Sequence, residues 1–491
     1  MSFNEDGIEK IIGRFGKYQV WILILVTIGR YPAEFQLVNV LFLVPGVDYV
    51  CKDDDALNMT NHCPCQLPEY DQSTIVSSVT TEWNLICSRS WMASLAQSVI
   101  QVGLIAGSLV FGHISDRYGR KIAVVLSLFL EAVFVTISAF VTEYWMFLVI
   151  RFLIGTALGG TMLCCFVLLV ELSGRTMRPY IMGLCEIPYV SGYLLLPIIA
   201  YFIRDWRPLQ LVTGVPWLLT FFYYWMLPES PRWLITVGRK KEAIELLTFI
   251  AKKNKRSTEN IETIVNDVEK ESLSTNKNKH GTYMDLFKTP KIRQYTIISA
   301  LVWMCCSHTF FGINQYIGRL QGNLYLNVIV SAASHAPGVV IVVVATLYLK
   351  RKVTVIASFA IAGTSFIVFI LIPNHLQWVT LMFAIIGQMG VYTAFMQIYM
   401  YSSEMFPTVV RNSALGFSSV FARVGGFVAP YVVNIGIEWA SILIFSAGAF
   451  SAAILCCFFP ETKGVVLSNA IDQIEDKRKM LSGKDTVVSK K

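Results

Sequence analysis

Twelve apolar runs, each near the ~20 residues that a membrane-crossing helix needs, divide this chain. They lie at 18–44, 91–113, 121–141, 145–170, 179–203, 209–227, 293–316, 325–349, 353–372, 376–402, 412–436 and 438–459. In lipid the backbone must satisfy its own polar groups, so such runs are expected as helices. Of the 491 residues, 54% are hydrophobic and only 15% charged, whereas soluble proteins carry about 25% charged residues. An all-α membrane protein is therefore expected. The net charge of +8 does not signal nucleic acid, because the basic residues sit in short loops between apolar runs. Residues 1–17 are polar and the first run is longer than a signal-peptide h-region, so no cleaved signal is expected.

The basic residues orient the runs. Lys10, Arg14 and Lys17 precede the first run, and Arg117, Arg120 and Lys121 follow the second. Arg175 and Arg178 follow the fourth, Lys350, Arg351 and Lys352 the eighth, and Arg411 the tenth. Positive loops stay inside, so both termini are expected in the cytoplasm and the loop 45–90 outside. That loop holds Asp53, Asp54 and Asp55, the cysteines Cys51, Cys63, Cys65 and Cys87, and the glycosylation acceptor Asn58-Met59-Thr60. Four cysteines in an outward loop make disulfides expected, with three pairings open. The domain layout that follows is a six-span bundle at 1–227, a cytoplasmic linker at 228–291, a second bundle at 292–459 and a polar tail at 460–491. In the linker, Ser230-Pro231 reads as a helix start. Ala243, Leu246, Leu247 and Ile250, then Ile261, Ile264, Val265 and Val268, repeat with helical period. Residues 272–282 and the tail read as unstructured.

An internal repeat relates the halves. Glu171, Arg178, Gly183, Gly192 and Pro197 recur as Glu404, Arg411, Gly416, Gly425 and Pro430 without a gap. A repeat of six spans predicts two parallel six-helix halves in pseudo-symmetry about the membrane normal, with the substrate site near the midplane. Arg423 has no counterpart, since Val190 stands in its place.

After the second run comes Gly112-His113-Ile114-Ser115-Asp116-Arg117-Tyr118-Gly119-Arg120-Lys121. Two glycines in a short turn hold adjacent helices close, and Asp116 can accept from an arginine or a helix N-terminus. This stretch resembles the loop signature of the major facilitator superfamily, which implies a cytoplasmic latch built on Asp116, Arg117, Gly119, Arg120 and Lys121 with Glu171, Arg178, Glu404 and Arg411. Arg151, Gly155, Gly159 and Gly160 in the fourth run are similar to that superfamily's second motif. Pro228-Glu229-Ser230-Pro231-Arg232 and Pro460-Glu461-Thr462-Lys463-Gly464 are shared with sugar porters. The cysteine loop, Asn323-Leu324-Tyr325-Leu326, and Glu404-Met405-Phe406-Pro407-Thr408-Val409-Val410-Arg411-Asn412 look like the organic cation, organic anion and carnitine transporter family. The loop after the eighth run, Tyr348-Leu349-Lys350-Arg351-Lys352, lacks the family's acidic element, which argues against a symmetric latch. His335-Ala336-Pro337-Gly338 stands where relatives commonly have glutamate.

Arg423 lies twelve residues past Arg411, or ~18 Å up a helix in a ~30 Å core. A guanidinium there costs ~3 kcal/mol or more unless paired or facing a cavity. Its fork suits a substrate carboxylate; the structural alternative is an ion pair with Glu131 or Glu186. The resemblance implies arginine here in carriers of anions and carnitine, and aspartate in typical cation carriers. Arg30 and Glu34 share a helix face, either as a self-neutralising pair or as substrate contacts, with Asn39 beyond. Glu131 and Glu186 are further mid-span carboxylates able to exchange protons. Asn314, Gln315, Gln388, Tyr392, Phe395 and Tyr193 complete the candidate lining, where aromatics can hold an ammonium group. No phosphate-binding loop, metal-ligand set or nucleophile constellation occurs, so no cofactor, no metal and no enzyme activity are expected. The expected function is a plasma-membrane secondary carrier of small organic ions working by alternating access, with zwitterions, organic anions or carnitine-like solutes favoured and a coupling ion, H+ or Na+, unassigned. The rival readings are an organic-cation carrier with a structural Arg423, a sugar porter, and a non-transporting receptor or scaffold.

Overall fold

The computed structural model describes residues 7–53, 59–174, 176–276, 283–373, 375–407 and 409–463. They are almost entirely helical, apart from a short antiparallel ribbon in which Tyr49–Cys51 pairs with Pro68–Tyr70. Asn58, residues 277–282 and the tail beyond 463 lie outside the described residues, as does the Arg178 side chain.

The spans of the first half are Lys17–Val38, Ser90–Tyr118, Arg120–Ser138, Tyr144–Glu171, Ile187–Phe202 and a composite sixth. Those of the second are Pro290–Ile317, Leu324–Tyr348, Arg351–Leu371, Gln377–Met405, Arg411–Val433 and Glu438–Cys456. Among the described residues, nine helices are long and apolar enough to cross a membrane. The other three spans depart from a straight apolar helix. The first carries Arg30, Glu34 and Pro32. The fifth breaks after Leu184 and restarts at Ile187, with Pro188 at the new helix start. The sixth changes from α-helix at Trp206–Gly214 to a 3₁₀ stretch at Val215–Phe222, where Pro216 removes a backbone donor. Apolar side chains such as Leu109, Ile361 and Leu371 remain exposed on the spans, as expected of helices that meet lipid.

The chain packs as two compact units, one formed by Met1–Lys277 with Asn323–Ala332, the other by Asn278–Gly322 with Ala333–Lys491. In the first unit the second and fourth spans touch backbone to backbone. A Cβ on Gly107 would stand 1.9 Å from the Thr156 carbonyl oxygen, and one on Gly155 2.5 Å from that of Ile100. Small residues therefore form the seam, the usual means of bringing membrane helices close. The repeat's Gly192 faces Glu34 Cβ, 3.1 Å from its own missing Cβ, and Gly425 faces the Met304 carbonyl at 2.2 Å. The fifth span thus closes on the first, and the eleventh on the seventh, at the same repeat position.

The linker is more ordered than its sequence suggests. Helices Pro231–Thr236, Lys240–Lys253 and Ile261–Asn276 follow one another. Ser230 caps the first of these by accepting from Trp233 N, with Pro231 at the first helical position. Trp233, Leu247, Ile250 and Val265 join a core with Ile8, Ile11, Leu25 and Leu169 of the first unit. Residues 272–276 continue the last helix, which corrects the reading of that stretch as unstructured. In the loop between the first two spans, Cys51 pairs with Cys65 and Cys63 with Cys87.

Candidate functional site

Each half carries the same arginine–glutamate clamp. In the first, Arg120 Nη1 donates to Asp116 Oδ1 and to the Ser115 carbonyl, both at 2.8 Å, while its Nη2 reaches Glu171 Oε1 at 3.2 Å. Glu229 receives the backbone N–H groups of Arg120 at 2.8 Å and Lys121 at 3.1 Å, so its carboxylate sits on the positive N-terminus of the third span. Gly119 joins the helices with φ +110°, where any side chain is strained, and a Cβ there would press on Glu229 Oε2 at 2.2 Å. Trp233 Nε1 donates to the Asp116 carbonyl at 2.9 Å, tying the linker to this turn.

In the second half Arg351 takes the place of Arg120. Its Nη1 donates to the Thr346 carbonyl at 2.6 Å and its Nε to Glu404 Oε2 at 3.4 Å. Glu461 accepts from the backbone of Arg351 at 3.0 Å and Lys352 at 3.3 Å. The expectation of a one-sided latch is therefore corrected. The loop after the eighth span has Leu347, Tyr348 and Lys350 where the first half has Asp116, Arg117 and Gly119; the arginine and both glutamates remain. Burial favours the protonated form of Glu229 and lifts its pKa above the ordinary glutamate value, against the backbone donors of Ser230, Lys121 and Arg120. At Glu461 burial pulls the same way, but four backbone donors prevail and hold the carboxyl below that value. Arg411, with Nε on the Phe406 carbonyl at 3.4 Å, faces Glu404. Arg117 lies over the Tyr118 ring and Lys121 over that of Tyr224.

Two charged sites lie at mid-span depth. In the second unit Arg423 is half-buried and, among the described residues, enters no hydrogen bond or ion pair; Tyr399 lies near it. Tyr399 packs 4.3 Å from Trp303 and 5.6 Å from Phe395, centroid to centroid. Phe310 stacks on Phe395 at 5.4 Å and on Tyr392 at 6.1 Å, and His335 stands 4.5 Å from Tyr392. His308 Nδ1 donates to the Gly425 carbonyl at 3.3 Å, two residues from Arg423. Gln388 donates to Asn314, and Gln315 is buried. The seventh, eighth, tenth and eleventh spans thus bring a guanidinium to one wall of an aromatic cluster.

In the first unit Arg30 and Glu34 form the intrahelical pair, 2.6 Å apart and buried. Arg30 Nη1 also donates to the Cys185 carbonyl at 2.9 Å, where the fifth span breaks, and Glu186 adds its charge from the same break. Glu131, 1% exposed, accepts from Thr161 Oγ1 at 2.8 Å through Oε2. Tyr193 is buried, its hydroxyl 3.2 Å from Ser331 Oγ. Arg151, part of the fourth span's glycine motif, also anchors a buried network. It donates to Gln36 Oε1 at 3.2 Å and Asn39 Oδ1 at 3.5 Å, and Gln210 bridges Gln36, Asn39 and Ser138. Gln36, three residues before Asn39, was the available signal for this set.

Two sequence halves of six spans each, with an arginine–glutamate clamp at corresponding helix ends, define an integral membrane protein of the carrier type. The family model for sugar and other transporters matches residues 57–472. The organic cation/carnitine transporter 2 of Homo sapiens is 30% identical over 96% of this chain and 93% of its own length. An organic cation transporter protein of Drosophila melanogaster is 33% identical over 84% and 76%, and solute carrier family 22 member 4 of Mus musculus 31% over 99% and 97%. The inward-open xylose transporter XylE of E. coli superposes with a TM-score of 0.67 at 17% identity, covering 94% of this chain and 99% of its own, a likeness of fold. The chain belongs to the major facilitator superfamily and, within it, to the organic cation and carnitine transporter family. It is a membrane transporter, not an enzyme.

Proposed function

We propose that this protein is a secondary carrier that moves small organic ions across the plasma membrane by alternating access, with zwitterions, organic anions or carnitine-like solutes as its cargo. The observation that carries the reading is Arg423, a mid-span guanidinium without a hydrogen bond or ion pair among the described residues, set beside Tyr399 and the Phe395–Phe310 stack. A mid-span arginine is tolerated when it is paired or faces a cavity, and its fork matches a carboxylate. The adjoining rings suit an ammonium group at the other end of a zwitterion. Relatives named for organic cations and for carnitine support small organic ions as the class of cargo, with carnitine among them. The six-span halves act as the two moving bodies, and the clamps of Arg120 and Arg351 bias the equilibrium between their states. The distribution of basic loop residues supports cytoplasmic termini, and the two disulfides support an outward loop.

Uptake of carnitine, an amino-acid-like zwitterion, a dicarboxylate and a tetraalkylammonium ion tests the reading, with and without Arg423→Ala at equal surface expression. Loss of a charge-assisted contact of ~2–3 kcal/mol predicts a fall of about 30- to 150-fold in uptake of the carboxylate-bearing solutes. Carriage of the ammonium ion alone, undiminished in the variant, would establish the organic-cation reading with a structural Arg423.

A further inference from the structure

Glu131 belongs to the mid-span charge cluster of the first unit, and within it its surroundings single it out. It sits mid-way along the third span at 1% exposure, and among the described residues its one hydrogen bond uses Oε2. Its Oε1 is buried without a partner, and so is Oε2 of Glu34. Both carboxylates act electrostatically with one guanidinium, that of Arg30. The groups facing this cluster are Arg30 and Glu34 on the first span, Thr161 and Cys165 on the fourth, and Cys185 and Glu186 on the fifth. Tyr223 of the sixth lies beyond, facing Cys165. Arg30, Glu34 and Glu131 set one arginine against two carboxylates in the buried interior, and Glu186 adds a further negative charge from the break in the fifth span. An uncompensated charge of that kind is expensive to bury.

The internal repeat serves as a control on whether the fold needs this carboxylate. The third and ninth spans start at Arg120 and Arg351, so Glu131 falls on Ala362; the fourth and tenth align through Glu171 and Glu404, so Thr161 falls on Ala394. Both alanines are fully buried. The same helix pair is thus built in the second half with methyl groups where the first half has an acid and its hydroxyl donor. Packing alone does not call for Glu131.

We propose that Glu131 is the proton site of the transport cycle. A proton from water on the open side of the first unit binds Glu131 and brings the Arg30–Glu34–Glu131 cluster to zero net charge, which commits Arg30 to Glu34. Its release on the other side leaves Arg30 shared between two carboxylates. Arg30 also holds the Cys185 carbonyl at the break in the fifth span, and Glu34 packs on Gly192 of that span, so the proton's arrival is felt where the first and fifth spans close. This inference rests on the carrier reading, because it assigns that carrier its coupling ion.

The test uses purified full-length protein in proteoliposomes. Solute exchange at symmetric pH measures carriage without coupling, and net uptake under an imposed pH gradient measures coupling. With one proton per solute, each pH unit drives accumulation by a factor of about ten. Wild type is expected to accumulate solute with the proton gradient and to acidify the lumen as it does so. Glu131→Gln, of the same shape, is expected to retain exchange and lose both the accumulation and the proton flux; Glu131→Asp is expected to restore part of each. Infrared difference spectra between wild type and Glu131→Gln should show a protonated-carboxyl band that the variant lacks. Gradient-driven uptake unchanged in Glu131→Gln, a sodium gradient driving uptake where the proton gradient does not, or absence of that band would overturn the proposal. Failure of wild type to exchange any solute of the panel would instead overturn the carrier reading on which it rests.

Discussion

Single atoms decide several positions. Gly107 meets the Thr156 carbonyl so closely that it leaves no room for a side chain, and at Gly119 the positive φ makes one strained. Gly107→Leu is expected to force the second and fourth spans apart. Overpacking of ~1–3 kcal/mol or more predicts a drop of several degrees in melting temperature, or loss from the surface, in a thermal-stability assay of detergent-solubilised protein. Gly183, by contrast, has nothing within 4 Å of its missing Cβ, so Gly183→Ala should leave the melting temperature within a degree or so. At Arg423 a charge alone is not the requirement. Arg423→Lys keeps the cation but loses the fork, and should raise the KM for carboxylate-bearing solutes by about tenfold. An unchanged KM would mean that the carboxylate is not gripped in two places. Arg423 was visible in the sequence because the repeat offers Val190 as its counterpart. That Arg30 and Glu34 are closed on each other was not, because an i,i+4 spacing fits a pair and an open site equally well.

At the scale of elements, the clamps at the helix ends set the strongest expectations. Asp116 is 78% exposed and adds one contact to an arginine already held by Glu171 and Ser115. Asp116→Asn should therefore cost less than ~1 kcal/mol, whereas Glu171→Gln and Glu404→Gln strip the half-buried partners and should each cost ~1–3 kcal/mol. The glutamates that cap the third and ninth spans respond to pH with opposite signs. Glu461 is held below the ordinary glutamate value by four backbone donors. Its contribution is present above the unfolded-state value and is lost as pH falls through the lowered folded value. Glu229 is lifted by burial, so its charged form is the disfavoured one, and the folded state gains from its protonation as pH falls through the raised value. Stability curves measured from pH 7 to 4 for Glu229→Gln and Glu461→Gln should diverge from wild type in opposite directions on acidification. Parallel curves would show that the two caps experience the same field. The helical runs themselves were legible from hydropathy. The break between the fifth span's pieces and the 3₁₀ turn of the sixth were not, since prolines mark such places without saying which way the neighbouring helices will satisfy the freed groups.

For the whole molecule, the loop between the first two spans offers a direct check on covalent structure and orientation together. Peptide mapping without reduction should recover Cys51 with Cys65 and Cys63 with Cys87. In intact cells Cys87→Ser should free Cys63 to a membrane-impermeant maleimide added outside, and labelling only after permeabilisation would invert the proposed topology. The sequence by itself determined that this chain is a twelve-span membrane protein made by duplication, because long apolar runs and gapless spacings are one-dimensional quantities. It also placed every charged residue at its depth along a helix, which follows from a fixed rise per residue. Only the tertiary structure decided which of those charges meet. Pairing depends on helix rotation and on distances between segments far apart in the chain. So Arg351 recovers a clamp that its own loop motif does not spell out, Arg151 finds Gln36 across the bundle, and Glu131 keeps an oxygen without a hydrogen-bond partner among the described residues.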